Sequence, residues 1–173
     1  LDNLKVKISD GTVGNQEGIG DYASLELFDP VAYNGSQGLV IVNLVNPNLQ
    51  WERKAMFNTG FDFSFFDERV SGSLEYYNNI TQNLFLDKQL SRTSGFASIN
   101  TNTGRLQNQG IEIDVDGDVI STKNFKWNLS GNFSYNKNKI LDQAGVDKNI
   151  NGLFINEVGK PANSLYLVKY AGV

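Results

Sequence analysis

The residues with the clearest chemical potential in this chain are acids. Asp114-Val115-Asp116-Gly117-Asp118 places three carboxylates within five residues, a density that suggests a calcium loop. An EF-hand loop requires Gly at its sixth position and Glu at its twelfth. Here Gly117 is fourth, and the twelfth position counted from Asp114 is Phe125. We therefore interpret these acids as the water-facing side of a strand and predict no metal site.

A second set of acids could support glycoside hydrolysis, which needs two carboxyl groups roughly 5–9.5 Å apart. The candidates are Asp62, Glu75, Glu112 and Asp114. Acids on adjacent strands of one polar face meet that distance by default, so we favour a solvated wall. The chain also contains no His and no Cys, which removes the usual general base, the Ser-His-Asp arrangement and thiolate chemistry. We predict that the chain is not an enzyme and binds no cofactor.

Aromatic residues in the connections are a third group of candidates: Tyr22, Phe28, Tyr33, Phe96 and Phe154. They could stack on sugar rings, bury against a partner or hold the loops together, and the sequence does not rank these roles. The formal net charge of −4 gives no sign of the basic patch that nucleic-acid binding requires. No apolar run approaches the roughly 18–20 residues of a membrane helix, although a membrane strand needs only about 9–11.

The elements that must position these residues are strands. Side chains of a strand alternate sides at every residue, and four segments between Trp51 and Tyr135 keep this period. The alternation lasts for roughly 9–13 residues per segment, whereas strands of soluble proteins average about 5–6. The apolar members are Ala55, Phe57, Phe61, Phe63, Phe65; Val70, Leu74, Tyr76; Ile111, Ile113, Val115, Val119; and Phe125, Trp127, Leu129, Phe133, Tyr135.

The connections alternate in length. Long connections are predicted at about 9–48, 87–105 and 136–162, and tight turns at 66–69 and 121–124, with a last alternating piece at Tyr166, Val168 and Tyr170. In an up-and-down meander this order puts all long loops at one end, as in outer-membrane barrels. Aromatic residues near the strand ends, such as Trp51 and Trp127, are typical of the girdles of such barrels. The alternative is a soluble carbohydrate-binding β-sandwich whose aromatic face is its core.

Six motifs, in order, carry a family resemblance that extends over essentially the whole chain. The motifs are Val13-Gly14-Asn15-Gln16 with Ile19-Gly20-Asp21-Tyr22-Ala23; Asn46-Pro47-Asn48-Leu49-Gln50-Trp51-Glu52; Phe66-Asp67-Glu68-Arg69-Val70-Ser71-Gly72; Thr93-Ser94-Gly95-Phe96; Asn108-Gln109-Gly110-Ile111-Glu112; and Gly159-Lys160-Pro161 with Lys169-Tyr170-Ala171-Gly172-Val173. Together they resemble the SusC/RagA family of TonB-dependent outer-membrane transporters.

The resemblance implies an all-β fold, an antiparallel meander of about six strands within a closed transmembrane barrel of roughly 22 strands. Residues 1–173 would then be a single segment of the barrel, and the plug and the motif that engages TonB would lie outside it. It also implies localisation in the outer membrane, contact with outer-membrane lipid and import of oligosaccharides or peptides. The implied partners are the TonB complex and a SusD-like surface lipoprotein.

Overall fold

The computed structural model describes residues 1–170 and 172, apart from the Arg92 side chain. In this part of the chain ten strands and one short 3₁₀ helix form. The strands are β1 Asn3–Asn15, β2 Phe28–Tyr33, β3 Ser36–Ile41, β4 Glu52–Phe65, β5 Val70–Gln89, β6 Ser98–Ser121, β7 Lys126–Gln143, β8 Lys148–Asn151, β9 Phe154–Glu157 and β10 Ser164–Leu165; the 3₁₀ helix is Arg92–Ser94. Among these described residues, no helix has the length and apolar character to cross a membrane.

The five long strands form one antiparallel sheet in the order β1-β4-β5-β6-β7. The hairpin β2-β3 and the three-stranded sheet β10-β9-β8 are separate. The connections 66–69 and 122–125 lie at one end of the long sheet, called here the turn end. The connections 16–51 and 90–97 and everything after β7 lie at the opposite, loop end. The predicted all-β antiparallel meander, with all its long connections at one end, is confirmed.

The predicted loop boundaries need correction because the strands are longer than the hydrophobic alternation indicated. β1 continues to Asn15, β5 and β6 leave only residues 90–97 between them, and β7 continues to Gln143. The long connections also contain structure of their own, the hairpins β2-β3 and β8-β9. Polar residues occupy both sides of the added strand segments, so no period of two appears there. Backbone pairing alone extends them.

The sixth strand of the meander is a second correction. The predicted piece around Tyr166, Val168 and Tyr170 forms only the two-residue strand β10, and residues 166–170 are not a strand. β10 pairs with β9 instead of continuing the long sheet next to β7. The Tyr166 amide still donates to the Leu153 carbonyl, but residues 167–170 belong to no strand ladder in the described chain.

The tight turns match the prediction closely. Residues 66–69 connect β4 to β5, and the second turn lies at 122–125, one residue later than predicted. Phe66, Asp67 and Glu68 all have positive φ angles, from 52° to 61°. The Arg69 amide donates to the Phe66 carbonyl and closes this turn. Left-handed conformations at consecutive residues let the chain reverse between two twisted strands.

Register places the predicted residues on the predicted faces. Phe61 pairs with Leu74, Leu74 with Ile113 and Ile113 with Phe133, so these side chains share one side, the apolar face. Asp62, one residue away, pairs with Ser73 in the next row and therefore lies on the opposite, polar face. One detail differs: a bulge between Asp118 and Ile120 puts Ile120, rather than Val119, opposite Trp127.

Candidate functional site: the two faces of the sheet

The apolar face has no covering layer in the described chain. Phe61 is 38% exposed although it lies on the internal strand β4, and Phe133 and Leu129 on the edge strand β7 are 59% and 60% exposed. The only buried large hydrophobic residues in the described part are Ile140 and Ile155, both at the loop end. A soluble sandwich would cover such a face with a second sheet, as its core. The described chain therefore contains no second sheet that would make this face the core of a sandwich.

The apolar face is a band of the height that a bilayer requires. On β4 it runs from Ala55 to Phe65, ten steps of about 3.3 Å, or about 25 Å along the membrane normal for a strand tilted by roughly 40°. On the next three strands the same face is already polar at the level of Phe57, because Phe57 pairs with Asn78 and the row continues with Gln109 and Lys137. An apolar band of about 25 Å is the lipid-facing height of outer-membrane barrels.

The band crosses the strands obliquely. On β7 the apolar stripe runs from Trp127 to Tyr135. Cross-strand pairing connects Tyr135 with Thr59 of β4, which lies four residues closer to the turn end than Ala55. At the turn end, Trp127 extends beyond the row that contains Phe65. In a sheet whose strands lie about 4.8 Å apart and are tilted by about 40°, a line of constant membrane depth moves by roughly four residues from one strand to the third strand beyond it. This equals the offset between β4 and β7. The sequence therefore encodes the strand tilt of a membrane barrel.

The polar face carries the acids that the sequence singled out. Glu75 lies directly opposite Glu112, and Asp114 lies opposite Ser73, which in turn is opposite Asp62. The fold thus brings the predicted carboxylates onto one face of three adjacent strands. Two of them, Asp62 and Asp114, line an open concavity of about 680 Å³ with Glu68, Asp116 and several serine, asparagine and glycine residues; Glu75 and Glu112 lie outside it. Such a surface is a hydrated wall.

The suspected calcium residues lie along an extended strand rather than around an ion. Asp116 and Asp118 both accept hydrogen bonds from the Asn128 amide, at 3.0 and 3.1 Å. Asp118 also pairs with Lys126 at 3.0 Å. Within residues 1–170 and 172, no group of three or more acidic side chains has a metal-binding arrangement.

Lys7 links three strands across the polar face. Its ammonium group lies 2.7 Å from Asp62 on β4 and 2.5 Å from Glu75 on β5. Between Lys7 and Glu75 the register places Gly60, which has no side chain to obstruct the contact. A Cβ at Gly60 would lie 2.4 Å from the Leu74 carbonyl oxygen. Glycine is therefore required here by the close approach of β5 as well as by the ion pairs.

At the loop end, an amide cluster that sequence reasoning missed attaches the residues before β4 to the β5-β6 hairpin. The Asn102 side chain accepts from the Gln50 backbone N–H at 2.6 Å and donates to the Gln50 carbonyl at 2.6 Å. It also donates to the Asn83 carbonyl at 3.0 Å, beside the register shift between Thr81 and Leu84. The Asn102 side-chain amide thus satisfies both the N–H and the C=O of Gln50, as the backbone of a neighbouring strand would. Its partners are distant in sequence, so no local pattern reveals them.

The five candidate aromatic residues are distributed over different loop-end elements. Phe28 and Tyr33 belong to β2, Tyr22 precedes it, Phe96 lies in the 90–97 connection and Phe154 begins β9. Tyr33 and Tyr22 are 81% and 72% exposed, whereas Phe96 is half-buried. Exposed aromatic rings at this end provide contact surface for a ligand or a partner, because they bring large apolar area at low conformational cost.

A lipid-height band, an opposite hydrated face and the end-to-end loop asymmetry together describe the wall of an outer-membrane barrel. A family model described as TonB dependent receptor-like, beta-barrel, matches residues 8–171. The chain belongs to this family. Barrels of TonB-dependent receptors lie in the outer membrane, which confirms the predicted localisation.

Individual relatives agree with the family model. TonB-dependent receptor P39 of Formosa agariphila is 35% identical over 171 residues, covering 98% of this chain and 16% of that relative. TonB-dependent receptor SusC of Bacteroides thetaiotaomicron is 31% identical over 159 residues, covering 85% of this chain and 16% of SusC. The chain therefore spans about one sixth of the length of these relatives. They are receptors rather than enzymes, in agreement with the prediction that this chain is not an enzyme.

Solved structures give the same assignment. The RagAB peptide importer in the 'open-open' state superposes with a TM-score of 0.88 at 34% identity, covering 99% of this chain and 19% of that chain. The 'closed-closed' state of the importer gives a TM-score of 0.84. The arrangement of strands and loops described above is thus the arrangement in part of a TonB-dependent barrel.

Proposed function

We propose that residues 1–173 form one continuous wall segment of a SusC-like transporter that imports oligosaccharides or peptides across the outer membrane. The apolar face meets lipid, the polar face lines the lumen, and the loop end faces the outside of the cell. The TonB complex of the inner membrane supplies the energy through parts of the parent protein that lie outside this segment. The observation that carries the proposal is the oblique, bilayer-high apolar band on a sheet of this topology.

A SusD-like surface lipoprotein covers the loop end in this proposal. The resemblance to SusC/RagA proteins supports it, as does the apolar surface of the hairpin β2-β3. Tyr33 and Leu39 of this separate two-stranded hairpin are 81% and 71% exposed. Exposed apolar patches rimmed by polar residues mark interaction surfaces.

An epitope-insertion experiment in the full-length parent tests the orientation. One epitope is inserted between Asn34 and Gly35, at the tip of the hairpin β2-β3, and a matched one between Lys123 and Asn124, in the tight turn after β6. On intact cells an antibody should bind the first insertion and not the second; both should bind after the outer membrane is permeabilised. Equal labelling of the two insertions on intact cells would contradict the proposed orientation.

A transport experiment tests the function. A strain that lacks the parent gene should lose uptake of the cognate oligosaccharide or peptide, and the full-length parent should restore it only when TonB is present. Residues 1–173 alone should restore nothing, because an open sheet leaves backbone groups unpaired in lipid. Uptake that persists without TonB would refute TonB-energised import.

A further inference from the structure

A groove lies at the loop end of the molecule, between the upper part of β5 and the small sheet that contains β8. Its volume is about 670 Å³, within the range of roughly 300–1,000 Å³ that is typical of ligand sites. Residues 86–89 form one wall, residues 148–151 form the other, and Gln143, Ala144, Val146 and Asn156 complete the lining.

Each wall is a run of four consecutive strand residues, and each strand has an edge that is unpaired in the described chain. Alternate side chains of a strand point to opposite faces, so a wall lined by four consecutive residues includes main-chain atoms. β5 pairs with β4 only as far as Gln82, which leaves the β4-side edge of residues 86–89 without a strand partner in the described chain. β8 is the outer strand of its sheet, and its second edge is likewise unpaired there.

The turn after β8 shows which backbone groups its free edge offers. Asn151 pairs with Phe154 across a two-residue turn in which Gly152 has a φ of 60°. Gly at the first central position is the type II′ signature, and the residues flanking such a turn are hydrogen-bonded to each other. Hydrogen-bonded and non-bonded pairs alternate, so the N–H and C=O of Ile150 point away from β9 and towards the free edge.

The side chains around these edges are suited to a peptide. Five of the lining residues are amides and three are charged, with both signs present, and no aromatic ring lines the groove within the described chain. Amides match the alternating donors and acceptors of a peptide backbone, and opposite charges match its ionised termini. A sugar site would be expected to offer a ring for stacking. The amides are Gln89, Gln143, Asn149, Asn151 and Asn156, and the charged residues are Asp87, Lys88 and Lys148.

We propose that this groove binds a peptide in extended conformation, which adds as a strand to the free edge of β8 and extends towards residues 86–89. This is β-augmentation, in which main-chain hydrogen bonds provide affinity. β8 is about 13 Å long and accommodates three or four peptide residues. The inference rests on the proposed transport function and selects peptides as its substrate class.

The test uses the purified full-length parent with its partner lipoprotein, and a mixed-sequence library of short synthetic peptides that carry a fluorophore on a lysine side chain and have both termini free. Ile150→Pro removes the free-edge N–H without breaking the β8-β9 ladder, because proline is compatible with the unpaired side of an edge strand. Loss of this hydrogen bond should weaken peptide binding about five-fold or more. Ile150→Ala, the matched control for the lost side chain, should bind peptide nearly as the native parent does.

A second readout does not depend on that variant folding. A photo-crosslinking amino acid at Gln89, on the opposite wall, should capture the fluorescent peptide, while the same amino acid at Lys123 in the distant tight turn should capture none. Capture of the parent's own chain or of the lipoprotein at Gln89, with no peptide, would overturn the groove assignment.

Transport by the same proteins separates this inference from the proposed function. Peptide import together with unchanged affinity in Ile150→Pro would refute the groove and leave the transporter assignment intact. Import of oligosaccharides alone would also refute it. Import of neither class by the native parent would contradict the proposed function itself.

Discussion

Lysine substitutions on β4 test which face of the sheet meets lipid. Phe61 lies near the middle of the apolar stripe between Ala55 and Phe65, and Asp62 lies on the opposite face. A lipid-facing Lys costs about 2–4 kcal/mol at the bilayer midplane and about 0–1 kcal/mol near the interface. We expect Phe61→Lys to lower the free energy of unfolding of the full-length parent by about 3 kcal/mol.

The neighbouring substitution should cost much less. Asp62→Lys removes one ion pair with Lys7, whose partners are more than a third exposed, and places a Lys opposite Lys5. Exposed ion pairs contribute about 0–1 kcal/mol, so the expected loss is about 1 kcal/mol, roughly a third of that at Phe61.

The assay is denaturant unfolding of the parent folded into vesicles of defined lipid. Lys substitutions at Ala55, Phe61 and Phe65 should give the largest loss at Phe61, and thicker bilayers should increase the losses at Ala55 and Phe65. A soluble core would also reject Lys at Phe61, but its cost would not depend on bilayer thickness. Equal losses at Phe61 and Asp62, or losses that do not change with lipid chain length, would refute the reasoning.

Three further predictions concern side chains away from the lipid face. Gly60→Ala should destabilise the parent by about 1–3 kcal/mol, because the added Cβ meets a carbonyl oxygen of β5 at 2.4 Å; no change in the unfolding curve would contradict this. Asn102→Leu should accelerate amide hydrogen exchange in residues 46–52 and 84–104, whereas unchanged exchange would show that the amide cluster holds nothing in place. Lys160, 3.0 Å from Glu157, lowers the pKa of that carboxyl below its ordinary value of 4.5, so the local stabilisation should be complete above pH 4.5 and lost as the pH falls through the lowered pKa. Glu157→Gln should abolish this pH dependence of exchange in β8 and β9; an unaltered dependence would assign it to other groups.

The strands could be predicted from the sequence wherever one face of the strand meets lipid and the other meets water. Phe61 and Asp62 illustrate this, because lipid on one face and water on the other impose a period of two that is directly readable. The same criterion fails from residue 98 to residue 105, where β6 is already paired with β5 although a loop was predicted. Polar residues, mainly Asn and Thr, occupy both parities there, so the sequence of this paired strand resembles that of a loop.

The candidate site likewise has a part that could be predicted from the sequence and a part that could not. The shared polar face of Glu75, Glu112 and Asp114 followed from alternation alone, since register fixes cross-strand neighbours once the turns are known. The contacts of Asn102 with Gln50 and the groove beside Ile150 could not be predicted, because they join segments that are distant in sequence. Only the path of the connections in space brings those segments together.

The central claim, that one face of this sheet contacts lipid, is tested most directly by fluorescence quenching. Trp51, Trp127 and any further Trp of the parent are replaced by Phe, and a single Trp is placed at position 61 or at position 62. The folded parent is then reconstituted into bilayers that contain lipids brominated along their acyl chains. We expect strong quenching at position 61 and weak quenching at position 62. Equal quenching at the two positions, or quenching at neither, would contradict the membrane-wall assignment.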